Sequence, residues 1–182
     1  MQKKLHGLKV ALLVADGFER SEMVEPRKAL QEAGASVELV SPIKNNVKSW
    51  AQGNWAESYH VDTQLDKAIA HDYDALVLPG GVINPDHLRC IPRAIEFIKE
   101  IYNQKKPIAA ICHGPWTLIN AGVVIGKHVT SWPSLKIDLE NGGAHWVDKE
   151  VVRDGNLVTS RKPEDLTFFN DEMIKLFSEY VS

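Results

Sequence analysis

Cysteine is scarce in this 182-residue chain, which carries only Cys90 and Cys112. That scarcity excludes a disulfide-stapled secreted scaffold and fits a reducing compartment, so a cytoplasmic protein is expected. Long hydrophobic runs are lacking too. The basic start "MQKKLHGLKV" leads into a short apolar stretch with no small-residue cleavage site, so no signal peptide is expected. Nothing approaches the roughly 20 apolar residues that span a bilayer, which removes a membrane partner. Basic blocks are also missing. With 21 Lys and Arg against 24 Asp and Glu, the net charge of -3 leaves no footprint for nucleic acid. Neither a G-x-G-x-x-G fingerprint nor a P-loop occurs, which disfavours dinucleotides and nucleoside triphosphates. In "DHLRC", His87 and Cys90 stand three apart, but no second ligand pair with regular spacing accompanies them. No metal is expected, and Cys90 reads as structural. The absence of repeats, low-complexity tracts and linkers makes residues 1–182 a single domain.

What is present is a chain 44% hydrophobic, long enough to bury a core without disulfide or metal. Leu8 to Ala15, Ser36 to Ser41, Asp74 to Pro79 and Pro107 to Cys112 are short apolar runs bounded by Gly, Pro or Asp, and they read as buried strands. Helical patterns lie between them. "EPRKALQEAG" has Pro26 near its start and Gly34 as its stop; "RAIEFIKEIYNQ" puts Ile95, Ile98 and Ile101 or Tyr102 on one face; "PWTLINAG" ends at Gly122. A closing amphipathic helix is expected from Pro163. Residues 45–61, with Trp50, Trp55 and Tyr59, read as a small hairpin or lid, and Asp154-Gly155 marks a second hairpin. Alternating strands and helices with near-continuous apolar strands predict an α/β fold, a doubly wound parallel sheet sandwich of flavodoxin-like topology.

Ligands of such sheets sit outside the carboxyl ends of the strands. Four segments reach that edge. They are "DGFERSEMVEP" with Asp16, Glu19, Glu22 and Glu25, "PGGVINPDHLR" with Gly80 and Gly81, the trio Cys112-His113-Gly114, and "TSRKPED". Cys112 ends a strand and enters a helix marked by Gly114-Pro115, the setting of a nucleophile elbow. A free thiol titrates at about 8.5, so holding it mostly ionised at neutral pH takes roughly 2.7 kcal/mol. A helix N-terminus supplies about 0.3–1 kcal/mol, which leaves a deficit for a hydrogen bond or a cation to fill. His113 is the nearest candidate. Its backbone N–H and that of Gly81 are candidates for an oxyanion hole, and Asp86 or Glu22 could orient its imidazole. A carboxylate against the sulfur opposes ionisation unless it holds a proton and donates it to sulfur. Trp116 and Trp132 flank the site; His145 reads as filler.

"LPGGVINPDHLR", "AICHGPWTLINAG", "TSWPSLKIDLENGGAHWVDKEVV" and "LVTSRKPEDL", in this order, closely resemble the PfpI family of intracellular cysteine hydrolases. That family shares a superfamily with the parkinsonism-associated protein deglycase and with class I glutamine amidotransferase domains. The resemblance implies that Cys112 is the nucleophile, His113 its partner and Glu22 the acid that contacts the thiol. Asp86 falls where related proteins place the acid that orients the histidine, in some of them from a neighbouring subunit, which implies a dimer or larger homo-oligomer. "SRKPED" contains no histidine, so an amidotransferase triad is disfavoured. The implied activity is that of a cofactor-independent cysteine enzyme acting on reactive carbonyls, of glyoxalase or protein-deglycase type, in a stress response. Its substrates would be small carbonyls or glycated proteins and peptides. The alternatives are an intracellular cysteine peptidase and a redox-sensing stress protein or holdase with little turnover.

Overall fold

The computed structural model describes residues 4–181. The chain runs β1 (Lys9–Leu13), β2 (Phe18–Glu19), α1 (Arg20–Glu32), β3 (Ser36–Ser41), β4 (Asn46–Ala51), β5 (Asn54–His60), β6 (Thr63–Gln64) and β7 (Ala75–Leu78). It continues through α2 (Ile83–Arg89), α3 (Pro92–Asn103), β8 (Ile108–Ile111), α4 (Trp116–Asn120), β9 (His128–Val129), α5 (Lys136–Asn141), β10 (His145–Trp146), β11 (Val151–Asp154), β12 (Leu157–Ser160) and α6 (Leu166–Val181).

Seven strands form one sheet in the order β11-β12-β8-β7-β1-β3-β6, parallel except for the β11–β12 pair. The five central strands, numbered along the chain, stand in the order 2-1-3-4-5, the flavodoxin-like arrangement expected from the sequence. The period-2 alternation of strand side chains builds two cores from one set of strands. From β1 and the turn after it, Ala11, Leu13 and Ala15 join Leu88, Phe97, Ile98, Ile101, Leu118 and Leu139 of α2 to α5. Val10, Leu12 and Val14 face the other way, onto Met23 and Leu30 of α1 and Phe169, Met173 and Phe177 of α6. Each fully buried side chain of this size contributes about 1.5–3 kcal/mol, so both faces of the sheet are committed to packing. Only its edges and strand ends remain for chemistry. Among the described residues, no helix is long and apolar enough to cross a membrane.

Several boundaries differ from the sequence expectation. Helix α1 starts at Arg20, and Pro26 lies inside it rather than near its start. The proline removes the N–H that would reach the Glu22 carbonyl, and burial of Met23 and Leu30 on one face outweighs that loss. Helix α4 has only five residues, and α6 begins at Leu166 after one 3-10 turn, Pro163–Asp165. No α-helix joins β3 to β7. That crossover instead holds the β4–β5 hairpin, which pairs antiparallel and adds to β2 in a separate small sheet. Helices α2 and α5 lie in segments that carry no helical pattern in the sequence. Cys90, read as structural, is exposed beyond the end of α2 and fills no core position.

Candidate active site

The carboxyl ends of β1, β7, β8 and β12 meet at one edge of the sheet, next to the point where strand order reverses between β1 and β7. A cavity of about 460 Å³ opens there, lined by residues that include Cys112, His113, Glu22, Gly81, Glu19, Trp50, Trp132 and Glu164. Of the residues singled out from the sequence, Cys112, His113, Glu22 and Gly81 are brought together. Asp86 is not among them. It stands exposed in the first turn of α2, outside the lining.

Cys112 follows β8 directly and holds φ at +62°, a left-handed conformation that costs a non-glycine residue about 1–3 kcal/mol. The surroundings enforce it. Its N–H donates to the Ser160 carbonyl at 3.0 Å, and its own carbonyl accepts from the Trp132 N–H at 2.9 Å. This bend aims the sulfur into the cavity and places the backbone N–H groups of His113 and Gly81 against it. The packing leaves no room for side chains on the neighbouring turns. A Cβ on Gly114 would run into the Leu78 carbonyl, and one on Gly80 would lie 2.5 Å from Glu22 Oε2 and 2.9 Å from the His113 nitrogen.

The imidazole Nδ1 of His113 lies 3.3 Å from Cys112 Sγ. Burial lowers the pKa of His113, so the ring is neutral at pH 7 and available as a base. Its ring lies near-parallel to that of Trp132, with centroids 6.0 Å apart. Among the described residues, no carboxylate is hydrogen-bonded to it. Trp116 packs behind it at 6.1 Å, outside the lining, with its Nε1 donating to Asp138 at 3.0 Å.

Glu22 is fully buried at the third position of α1, where the helix dipole favours a carboxylate. Desolvation overrides the dipole and raises its pKa from 4.5 to about 8, even though Oε2 accepts the Gly80 N–H at 2.8 Å. A rise of that size is worth roughly 5 kcal/mol in favour of the neutral acid. Among the described residues, Oε1 has no hydrogen-bond partner. The thiol is raised as well, first by burial and then by the charge Glu22 carries when ionised. Once Glu22 holds its proton, that charge is gone and the carboxyl O–H is a donor facing sulfur.

The rim was only partly foreseen. Glu164 is carried by the segment after β12, which Arg161 clamps through Asp165 (2.8 and 3.1 Å) and Asp148 (2.8 Å). Trp50 comes from the hairpin, tied to the loop after β1 by Gly17 N–H to the Lys48 carbonyl (2.8 Å) and Lys48 N–H to Asp16 Oδ1 (2.7 Å). Asn84, fully buried beneath the Gly80-Gly81 turn, gave no signal in the sequence.

Together the fold and site define a class: an α/β sandwich with a cysteine on a strained elbow at the sheet's carboxyl edge. The chain belongs to the DJ-1/PfpI family, whose pattern it matches over residues 8–176. General stress protein 18 of Bacillus subtilis is 41% identical over 174 residues, covering 95% of this chain and 99% of the relative. Deglycase PfpI of Pyrococcus furiosus is 39% identical over 169 residues, covering 93% and 99%. Schizosaccharomyces pombe DJ-1 superposes with a TM-score of 0.83 at 26% identity, over 96% of this chain and 97% of that one. A two-domain Anabaena variabilis protein with DJ-1/ThiJ/PfpI-like and ferritin-like domains gives a TM-score of 0.87 at 35% identity. There the match covers 92% of this chain and 47% of the larger protein.

Proposed function

We propose that the protein is a cofactor-independent thiol enzyme that acts on reactive carbonyls, converting 2-oxoaldehydes to hydroxy acids or releasing early glycation adducts. The observation that carries this reading is the elbow itself, with Cys112 at φ +62° and a neutral imidazole nitrogen 3.3 Å from its sulfur. Two relatives at about 40% identity, from Pyrococcus furiosus and Pyrococcus horikoshii, are named deglycases, which supports it.

In the proposed sequence His113 takes the thiol proton as sulfur bonds to the aldehyde carbon, and the carbonyl π pair moves onto oxygen. The amides of Gly81 and His113 hold that oxyanion, and neutral Glu22 or the imidazolium returns the proton to it. A base then removes the C1 hydrogen as a proton and the adjacent carbonyl oxygen is protonated. The resulting enediol takes a proton at C2 and gives up its C1 hydroxyl proton, which leaves a thioester of the hydroxy acid. Water attacks the thioester, the acid leaves and the thiol is regenerated. The net change is addition of one water. No external oxidant or reductant is consumed, because one carbon is oxidised as its neighbour is reduced.

Among the described residues, the cavity lining carries the acidic Glu19 and Glu164 beside a protonated Glu22 and no Lys or Arg, which favours neutral carbonyls or cation-bearing adducts over carboxylate-bearing ones. Incubation with methylglyoxal in the absence of glutathione should yield lactate. Cys112→Ser should reduce the rate at least 10³-fold, in line with the loss of a covalent nucleophile. Equal rates for the two proteins sink the reading.

We further propose a dimer or larger homo-oligomer in which Asp86 of one copy orients the imidazole of another. The support is an exposed Asp86 and an imidazole to which no carboxylate among the described residues is bonded. Mixing Cys112→Ala with Asp86→Asn should restore part of the activity that each variant lacks. Mixtures as inactive as their components count against the shared site.

A further inference from the structure

Asn84 is fully buried in the first turn of α2, and no step above uses it. Its side chain makes three hydrogen bonds, all to backbone in the loops that floor the cavity. Oδ1 accepts the Ala15 N–H at 2.7 Å, and Nδ2 donates to the carbonyls of Pro79 at 3.1 Å and Gly80 at 3.0 Å. The Gly80 carbonyl also accepts the Glu19 N–H at 3.3 Å.

The peptide between Gly80 and Gly81 is an unusual unit to place beside a nucleophile. Neither flanking residue has a Cβ, and Gly81 already sits at φ +76°, so local sterics do little to fix the orientation of this plane. In a trans peptide the carbonyl and the N–H point in opposite directions. If the plane turned over, the Gly80 oxygen would face Cys112, and a carbonyl dipole would meet the developing oxyanion in place of a donor. Something outside the peptide must therefore hold it. The two donors on the Gly80 oxygen do so, and Asn84 supplies the shorter contact while tying the turn to Ala15 beyond β1.

We propose that Asn84 is a positioning residue that locks the Gly80–Gly81 peptide with the Gly81 N–H facing Cys112, so the oxyanion donor is set before substrate arrives. The inference rests on the reading of Gly81 as that donor. It does not depend on which carbonyl compound is turned over. Because the same N–H lies against the resting sulfur, the lock also governs how readily the thiol ionises.

The test uses Asn84→Leu, which removes all three bonds, and Asn84→Ser, which retains a hydroxyl, both in a Cys90→Ser background. Cys112 alkylation by iodoacetamide is followed across pH by mass spectrometry, beside methylglyoxal kinetics. The expected result for Asn84→Leu is a kcat lower by about 10- to 100-fold with KM changed less than about threefold. The alkylation midpoint should move up by about one pH unit, with Asn84→Ser between the two. An alkylation profile that superimposes on the parent's, in a variant folded by circular dichroism and melting, overturns the proposal. Should methylglyoxal not be a substrate at all, the kinetic reading fails while the alkylation profile still decides the role of Asn84. Should neither variant fold, the intact protein decides. Through-hydrogen-bond NMR couplings from Asn84 Nδ2 to the Pro79 and Gly80 carbonyl carbons support the lock, and their absence overturns it.

Discussion

The floor and the rim of the cavity are built on opposite principles. On the floor, Cys112 is 7% exposed, Glu22 and Asn84 are fully buried, and backbone hydrogen bonds fix the Gly80 and Cys112 turns. At the rim, Val82 is 55% exposed and Trp132 is 38% exposed, and Glu164 stands in solvent. The floor is over-determined, so a change of one atom propagates. Rim side chains have water as an alternative partner, so a change there is absorbed locally. The difference separates two tasks: the floor sets reactivity, and the rim sets what reaches it.

The comparison is broken most severely by adding one carbon to the floor. In Gly80→Ala the new Cβ would stand 2.5 Å from Glu22 Oε2, 2.8 Å from Cys112 Cβ and 2.9 Å from the His113 nitrogen. Two of these three atoms are pinned close to the backbone, and the third belongs to a buried carboxyl. A displaced nucleophile should lower kcat/KM by about 100-fold. Overpacking should cost about 1–3 kcal/mol of stability, read from denaturant titration. Removal of atoms at the rim, as in Val82→Ala, should leave kcat/KM within about threefold of wild type, the small effect usual for exposed sites. Similar losses in the two variants would end the distinction.

A different readout, stability against pH, isolates the proton on Glu22. In the folded protein this carboxyl keeps its proton to about pH 8, whereas the unfolded chain releases it near the ordinary value of 4.5. Between those values the native state binds more protons, so its stability falls as pH rises, by at most about 1.4 kcal/mol per pH unit, and levels off above pH 8. Glu22→Gln removes that titration. The stability advantage of wild type over the variant should therefore shrink steadily from pH 5 to pH 8 in urea melts. Parallel pH curves would show that Glu22 is ionised in the native state, and neutral Glu22 as proton donor would be discarded.

What the sequence disclosed follows the same division. Buried strands such as Ala75–Leu78 and Ile108–Ile111 are legible because an apolar run bounded by Gly, Pro or Asp has few other ways to fold. The convergence of Cys112, His113, Glu22 and Gly81 is legible because parallel topology sends successive strand ends to one edge. Helix α2 was not legible, since "INPDHLR" spans barely two turns and includes Pro85, and tertiary packing of Leu88 decides its conformation. Pro26 misplaced the start of α1, because proline marks a helix start far more often than an interior. Asn84 left no trace at all. Its role lies in bonds to backbone, one of them to Ala15 across 69 residues, and backbone partners have no side-chain signature to read.

The smallest predicted effect belongs to the rim and sharpens what it does. Glu164 contributes a charge to the lining and, like Glu19, acts electrostatically on Glu22. Among the described residues, no Lys or Arg lines the same cavity, so this charge is not neutralised within the lining. Glu164→Gln should leave kcat/KM for neutral methylglyoxal close to wild type. For the methylglyoxal adduct of an arginine peptide, which retains a positive charge, kcat/KM should fall about two- to fivefold at low salt. Because Glu164 is exposed, its interaction with a cation is screened, and the selectivity difference should shrink toward zero as salt approaches about 1 M, where the Debye length is about 3 Å. A loss that is equal for the two substrates, or that persists at high salt, would mean that Glu164 acts by shaping the Arg161-clamped loop and not by its charge.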